Sequence, residues 1–226
     1  VNVKKLWLTA ILTIWMVGCQ GSQPVLTRLP DPLYNEVPPY SPPPPPRIES
    51  PVRTQPPPPV DESWLPPRGI TRRWSCIVIH HTASDIGSLA KIDQWHRDKG
   101  WDGCGYDFII GNGTNSADGK VEVGPRWREQ RDGAHTRLSA AYARQKGVSP
   151  NHYNEYGIGI VLVGNYDKTR PSARQMESLA RLVKFLMRQC KIPESRILTH
   201  GGVDQTHCPG KHFSMSQLKS LMARLP

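Results

Sequence analysis

The chain has 226 residues, with 29 Lys and Arg against 19 Asp and Glu, for a formal net charge of +10. Of its 23 prolines, 17 fall in residues 1–73 and 6 in the remaining 153, so the first third is too proline-rich and too poor in apolar residues to bury a core. Two folded domains in tandem are therefore excluded, and one domain of ordinary size behind a long tether is expected. Residues 74–226 hold 21 Lys and Arg against 14 Asp and Glu, which leaves +7 on the folded part. That surplus suits an anionic partner such as an acidic lipid or cell-wall polymer. No RNA- or DNA-binding motif accompanies it, and no nucleic-acid partner is expected.

The N-terminus begins Val1-Asn2-Val3-Lys4-Lys5, continues in an apolar run from Leu6 to Val17, and reaches Gly18-Cys19. A basic segment followed by a short apolar one has the pattern of a secretory signal, and the run is marginal for crossing a bilayer. Its end, Met16-Val17-Gly18-Cys19, resembles the lipobox of bacterial lipoproteins, with Met16 in place of the usual Leu. The resemblance implies cleavage after residue 18 and lipidation of Cys19, hence a membrane partner through the N-terminal lipid. Gln20 in the next position points by the same resemblance to an outer membrane, with the domain facing the periplasm.

Residues 19–70 read as an extended linker. They include Pro38-Pro39-Tyr40, five prolines at 42–46 and four at 56–59. In polyproline II the roughly 30 residues from 38 to 67 would reach on the order of 90 Å, at about 3.1 Å per residue.

The folded part is expected over 71–226. Residues 76–80 (Cys-Ile-Val-Ile-His) form an apolar run suited to a strand covered on both faces. Ile86, Leu89, Ile92 and Trp95 recur at helical spacing within 84–99, and Gly100 can close that helix. Residues 106–110 and 120–123 read as strands joined by a polar Gly-rich loop at 111–119. A central strand is expected over 157–163, and a long amphipathic helix over 171–190 buries Met176, Leu179, Val183 and Leu186. A short strand at 196–199 ends against His200, and a last helix opens at Ser214 with Gln217 at capping-box spacing. Strands alternating with helices define an α/β domain with a central mixed β-sheet flanked by helices.

His80 and His200 each stand at the end of a predicted strand, where a sheet delivers side chains to one edge. Cys208 follows in Thr206-His207-Cys208-Pro209-Gly210. Two imidazoles and a thiolate suit Zn²⁺ and leave a fourth position for water. Zinc lowers the pKa of water and polarises carbonyls, which are the needs of amide hydrolysis. Taken alone, such a pair of strand-end histidines is equally compatible with structural roles.

Several further segments narrow the choice: Ile77 to Ala83, Gly100 to Ile110, Gly133-Ala134-His135-Thr136, Tyr156 to Ile160, and His200 to Gly210. In order and spacing, residues 74–226 resemble the type 2 N-acetylmuramoyl-L-alanine amidases, a family that includes phage amidases and animal peptidoglycan recognition proteins. The resemblance implies a zinc enzyme that cuts the amide between N-acetylmuramic acid and L-alanine in peptidoglycan. It implies His80 rather than His81 as first ligand, then His200 and Cys208. Tyr106 and Thr206 become the catalytic partners that support the oxyanion, and His135 a substrate-binding or supporting residue at the groove. Many members carry Arg-Asp after the second histidine where this chain has Gly201-Gly202, which puts in doubt any salt bridge framing the site. Thr206 stands where many bacterial members have Lys. The competing expectation is a peptidoglycan-binding or wall-tethering lipoprotein that does not cut. Non-catalytic family members lack the cysteine, which is present here. With Cys19 lipidated and Cys208 on metal, Cys76, Cys104 and Cys190 allow at most one disulfide.

Overall fold

The computed structural model describes residues 62–226. The signal-like segment, Cys19 and most of the proline-rich linker lie outside these described residues. Five strands, β1 (Cys76–His81), β2 (Phe108–Ile110), β3 (Val121–Val123), β4 (Gly157–Leu162) and β5 (Ile197–Thr199), form one sheet in the order β3-β2-β4-β1-β5. β1 pairs in parallel with β4 and with β5, β4 pairs in parallel with β2, and β3 adds antiparallel at the edge. This is the expected mixed sheet. β1 is buried at every position, as a central parallel strand must be when both faces are covered.

One face of the sheet carries Ile77, Ile79, Phe108, Ile110, Ile158, Ile160 and Leu162, the centre of the main core. The seven helices among the described residues are numbered α1 to α7 in chain order. Helix α5 (Ala173–Cys190) lies on that core with Met176, Leu179, Val183 and Leu186 inward, and α7 (Met215–Arg224) adds Leu218 and Met222. α5 begins two residues later than the expected 171 because Ser172 and Gln175 form a reciprocal capping box, which stabilises by about 1 kcal/mol. The Ser172 hydroxyl also donates to Asp118 at 2.6 Å, tying the Gly-rich loop between β2 and β3 to this helix.

The main core includes a side chain upstream of residue 71. Trp64, in a 3-10 turn over Glu62–Trp64, is 8 % exposed, stacks edge-on against Phe185, and accepts a 2.6 Å bond from the Trp127 indole at its carbonyl. Among the described residues no helix is long and apolar enough to cross a membrane.

The opposite face is divided. Ile92, Cys104, Ile109, Val161 and Val163 form one small cluster beneath α1 (Leu89–Asp98). Cys76, Val78, Leu138, Ala143 and Tyr153 form another beneath α3 (Ala140–Lys146) and α4 (His152–Tyr156). The helix expected from 84 starts only at 89, since Ser88 accepts the Lys91 N–H as its N-cap. The possible disulfide does not form. Cys76, Cys104 and Cys190 are free thiols, each packed into a different cluster, and Cys190 is on the far face of the sheet.

Candidate metal centre

The gap between the two small clusters is built by missing side chains. Gly157 and Gly159 point to this face of β4, and a Cβ on Gly159 would collide with the His135 ring. The imidazole of His135 fills that space, 8 % exposed, on the loop before α3. The Asn154 amide oxygen accepts the backbone N–H of both His135 and Thr136, at 2.8 and 2.9 Å, and so fixes the loop.

His80 alternates to the same face near the end of β1, and its ring is 1 % exposed. Its Nε2 lies 3.1 Å from His135 Nδ1, while His135 Nε2 lies 3.3 Å from the Gly157 carbonyl oxygen. A carbonyl can only accept, so the His135 proton sits on Nε2 and its Nδ1 accepts from His80. His80 is thereby held as the Nε2–H tautomer, with the Nδ1 lone pair free and 3.9 Å from Cys208 Sγ. His81 faces the other way. Its Nδ1 accepts the Tyr166 N–H at 3.1 Å, so its side chain anchors a loop, while its backbone N–H donates to Cys208 Sγ at 3.3 Å.

His200 is not simply a strand-end residue. β5 stops at Thr199, whose hydroxyl caps a one-turn helix, α6 (His200–Val203), by accepting the Gly202 N–H at 3.1 Å. The chain then returns, and the Gly201 N–H donates to the Cys208 carbonyl at 2.7 Å. A Cβ at Gly201 would stand 2.5 Å from the Thr206 carbonyl oxygen, so only glycine lets the loop carrying Cys208 close on α6. That contact is the local reason for the Gly-Gly departure.

One donor atom each from His80, His200 and Cys208 lie within 4.8 Å of one another. Burial first, and the neighbouring imidazoles second, hold His80 well below the usual histidine range. Burial likewise lowers His200, partly offset by Asp204, and brings His135 down to about 4. All three rings are therefore neutral lone-pair donors at pH 7. The Cys208 thiol is pushed up to about 12 by burial, so in the bare protein it keeps its proton and must release it to a metal. Tetrahedral zinc bonds of about 2.0–2.3 Å place donors roughly 3.5 Å apart, so the group, with 3.9 Å between His80 Nδ1 and Cys208 Sγ and at most 4.8 Å overall, would contract slightly around an ion. Two imidazoles and a sulfur fit zinc and do not fit the oxygen-seeking cations.

Tyr106 reaches the cluster from the turn before β2, its ring 5.3 Å from His80 by centroid. Burial and the nearby Cys208 raise its phenol further, which keeps it a neutral donor. Thr206 sits in the returning loop, and its exposed side chain accepts the Cys208 N–H at 3.3 Å. His135 lines one of the clefts that border the centre. Both ring nitrogens are engaged inside the protein, so its polar edge serves His80. Two open clefts border the centre. One, of about 350 Å³, is lined by Thr82, Trp95, His96 and Tyr106; the other, of about 410 Å³, by Trp101, His135, Thr136, Arg137 and Asn154.

Three residues of this region were not singled out by sequence. His96 stacks between Trp101 and Tyr106, at centroid distances of 4.5 and 5.7 Å, and its Nδ1 accepts the Gly105 N–H. Asp107 is fully buried beside β4 and accepts the Gly159 N–H at 2.7 Å. Asp204 lies 3.6 Å from His200 Nε2. The four-residue spacing of Asp204 from His200 was the one signal available.

The mixed five-stranded sheet flanked by helices is the fold of a solved N-acetylmuramoyl-L-alanine amidase. An endolysin amidase, LysCS from Clostridium intestinale, superposes with a TM-score of 0.53 at 29 % identity, covering 67 % of this chain and 84 % of that one. Residues 70–211 match the family model described as N-acetylmuramoyl-L-alanine amidase, Amidase_2, and the chain belongs to that family. The endolysin of Klebsiella phage KP32 is 30 % identical over 142 residues, 60 % of this chain and 80 % of the phage protein. Peptidoglycan-recognition protein SC1a of Drosophila melanogaster is 28 % identical over 155 residues, 64 % of this chain and 72 % of its own length. A mouse N-acetylmuramoyl-L-alanine amidase is 30 % identical over 141 residues, but the match spans only 22 % of its length.

Proposed function

We propose that the protein is a zinc-dependent N-acetylmuramoyl-L-alanine amidase that hydrolyses the amide between the lactyl group of N-acetylmuramic acid and the stem's L-alanine. The observation that carries this reading is the convergence of His80, His200 and Cys208 donor atoms within 4.8 Å beside Tyr106. Zinc, when bound, supplies Lewis-acid activation of water and of the scissile carbonyl.

The rest is the work of the chain. Tyr106, held neutral, donates a hydrogen bond to the oxygen on which charge develops, and the Thr206 hydroxyl supports it without adding charge. The hydrogen-bond series from His80 through His135 to Gly157 keeps the first ligand in one tautomer and one orientation. The His81 N–H steadies the sulfur as its proton leaves. The flanking clefts receive the sugar and peptide on either side of the cleaved bond, and the basic surface favours the stem's carboxylates. We further propose that Cys19 is lipidated and anchors the enzyme to the outer membrane, with the proline-rich arm letting it work at a distance in the periplasm.

The test is digestion of purified peptidoglycan by the full chain, read by mass spectrometry. Intact glycan strands plus free peptides beginning with L-alanine are expected. Chelation and Cys208→Ser should each abolish them. Activity that survives both would sink the zinc mechanism, and binding without product would make the protein a recognition or tethering module.

A further inference from the structure

The two histidines of the centre have unequal support in the hydrogen-bond pattern. His80 Nε2 is backed by His135. His200 Nε2 is buried and, among the described residues, has no hydrogen-bond partner within normal length. A buried ring nitrogen left unpaired costs stability and calls for a physical explanation.

Oδ2 of Asp204 lies 3.6 Å from that nitrogen, the only carboxylate among the described residues within 4.0 Å of His200. This placement is fixed by backbone. Asp204 follows His200 by four residues, the spacing that brings two side chains to one side of a helical turn. Its N–H donates to the His200 carbonyl at 2.8 Å, and its other oxygen, Oδ1, accepts the Gln205 N–H at 2.8 Å. The residues between them include Gly201 and Gly202, which place no side chain in the way. Asp204 itself is outside the group of donor atoms that converge within 4.8 Å.

From these relationships we infer that Asp204 is a positioning residue for the metal centre: it receives the Nε2 proton of His200, fixes that tautomer, and turns the Nδ1 lone pair toward zinc. A carboxylate behind a ligating imidazole orients the ring and raises its basicity, and loss of such a partner typically costs about 10–100-fold in metal affinity. A contraction of a few tenths of an ångström closes the 3.6 Å separation to a charge-assisted hydrogen bond. Both histidines then follow one plan, with Nε2 held from behind and Nδ1 presented. Asp204 occupies a position in the turn different from that of the Arg-Asp pair of other members, and it takes over the framing role that Gly201-Gly202 cannot perform.

This inference rests on the zinc reading above, and its test separates the two. In the full chain with histidine labelled by ¹⁵N and metal removed, long-range NMR correlations report which ring nitrogen of His200 carries the proton. Zinc affinity is measured in parallel by competition with a chromophoric chelator. The wild type is expected to show the Nε2–H tautomer. Asp204→Ala should lose the single tautomer and bind zinc about 10–100-fold more weakly. Asp204→Asn, whose carbonyl can accept the same proton, should restore the tautomer and most of the affinity. Should the alanine variant fail to fold by circular dichroism, Asp204→Ser, too short to reach the ring, carries the same readings. A wild-type His200 protonated on Nδ1, or an alanine variant that keeps both tautomer and zinc affinity, overturns the role of Asp204. Failure of the wild type to take up zinc overturns the metal reading instead, and the metal-free tautomer still decides whether Asp204 orients the ring.

Discussion

His135 Nδ1 accepts a hydrogen bond from His80 Nε2 across 3.1 Å while its own Nε2–H donates to the carbonyl of Gly157, so the candidate ligand on β1 is oriented through a loop residue by the backbone of β4. A residue placed this way acts on the metal without touching it. His135→Ala should weaken zinc binding by about 10–100-fold. His135→Gln, which retains an acceptor in the same pocket, should lose less. Chelator competition on the two variants checks both statements, and equal losses would show that the cavity rather than the proton matters.

Gly159 exists to make room for that ring. Gly159→Ala drives a Cβ into the imidazole of His135. The clash should cost about 1–3 kcal/mol in stability, as overpacking generally does. It should also displace His80, so zinc affinity falls along with the urea midpoint. A variant that loses stability and keeps full zinc affinity would disconnect the glycine from the centre.

Tyr106 is expected to act on the reaction rather than on the metal. Its hydroxyl is the donor, and its ring is packed beside His80 and His96. Tyr106→Phe keeps the packing and removes the donor. The expected result is a fall in kcat of about 10²–10³-fold, the usual cost of one oxyanion donor. Zinc affinity should stay within about twofold of wild type. Steady-state kinetics on a defined muropeptide, together with metal titration, checks the division of labour.

Asp107 gives a pH signature of its own. Burial pushes its carboxyl up to about 7, against the pull of the Gly159 N–H and of Arg126. Its unfolded value is about 3.9. Between those limits the folded state binds more protons, so this group's contribution is fully present below about pH 4 and is lost as pH rises toward 7. Asp107→Asn removes that slope. Urea midpoints of the chelated proteins at pH 4.5 and 8.5 should show the asparagine variant gaining on wild type at the higher pH. A difference between the two proteins that does not change with pH would place the Asp107 carboxyl in its ordinary range.

The sheet was legible in the sequence wherever a strand is central or a helix long. Residues 76–80 and 157–163 are unbroken apolar runs because both faces of β1 and β4 are covered, and α5 has enough turns to display its period. The short helices were not legible. α2 (Pro125–Glu129), α3, α4 and α6 span one or two turns, too few for periodicity. Only local punctuation marked α3, with Ser139 as its N-cap and Gly147 in the left-handed conformation after it. At the centre, motif order pointed to His80 over His81; strand alternation turns His80 toward His200 and Cys208, and the bond from Tyr166 engages the His81 ring. Asp107 and Asp204 remained hidden because their meaning lies in burial and in a one-turn helix, neither of which leaves a pattern in composition.

The candidate ligands His80 and Cys208 are 128 positions apart, at the start and near the end of the folded domain. Between them the chain completes every strand of the sheet, and β1 finds its neighbours only when β4 and β5 have formed. A chain that stops before residue 200 carries one donor of three. On the proposed function, metal capture would be a late event in the life of each molecule, and a zinc-dependent amidase activity would stay silent in nascent, truncated or misfolded copies. A captured ion would tie the first strand to the last loop, so resistance to unfolding should rise with free zinc in proportion to the logarithm of its concentration over Kd.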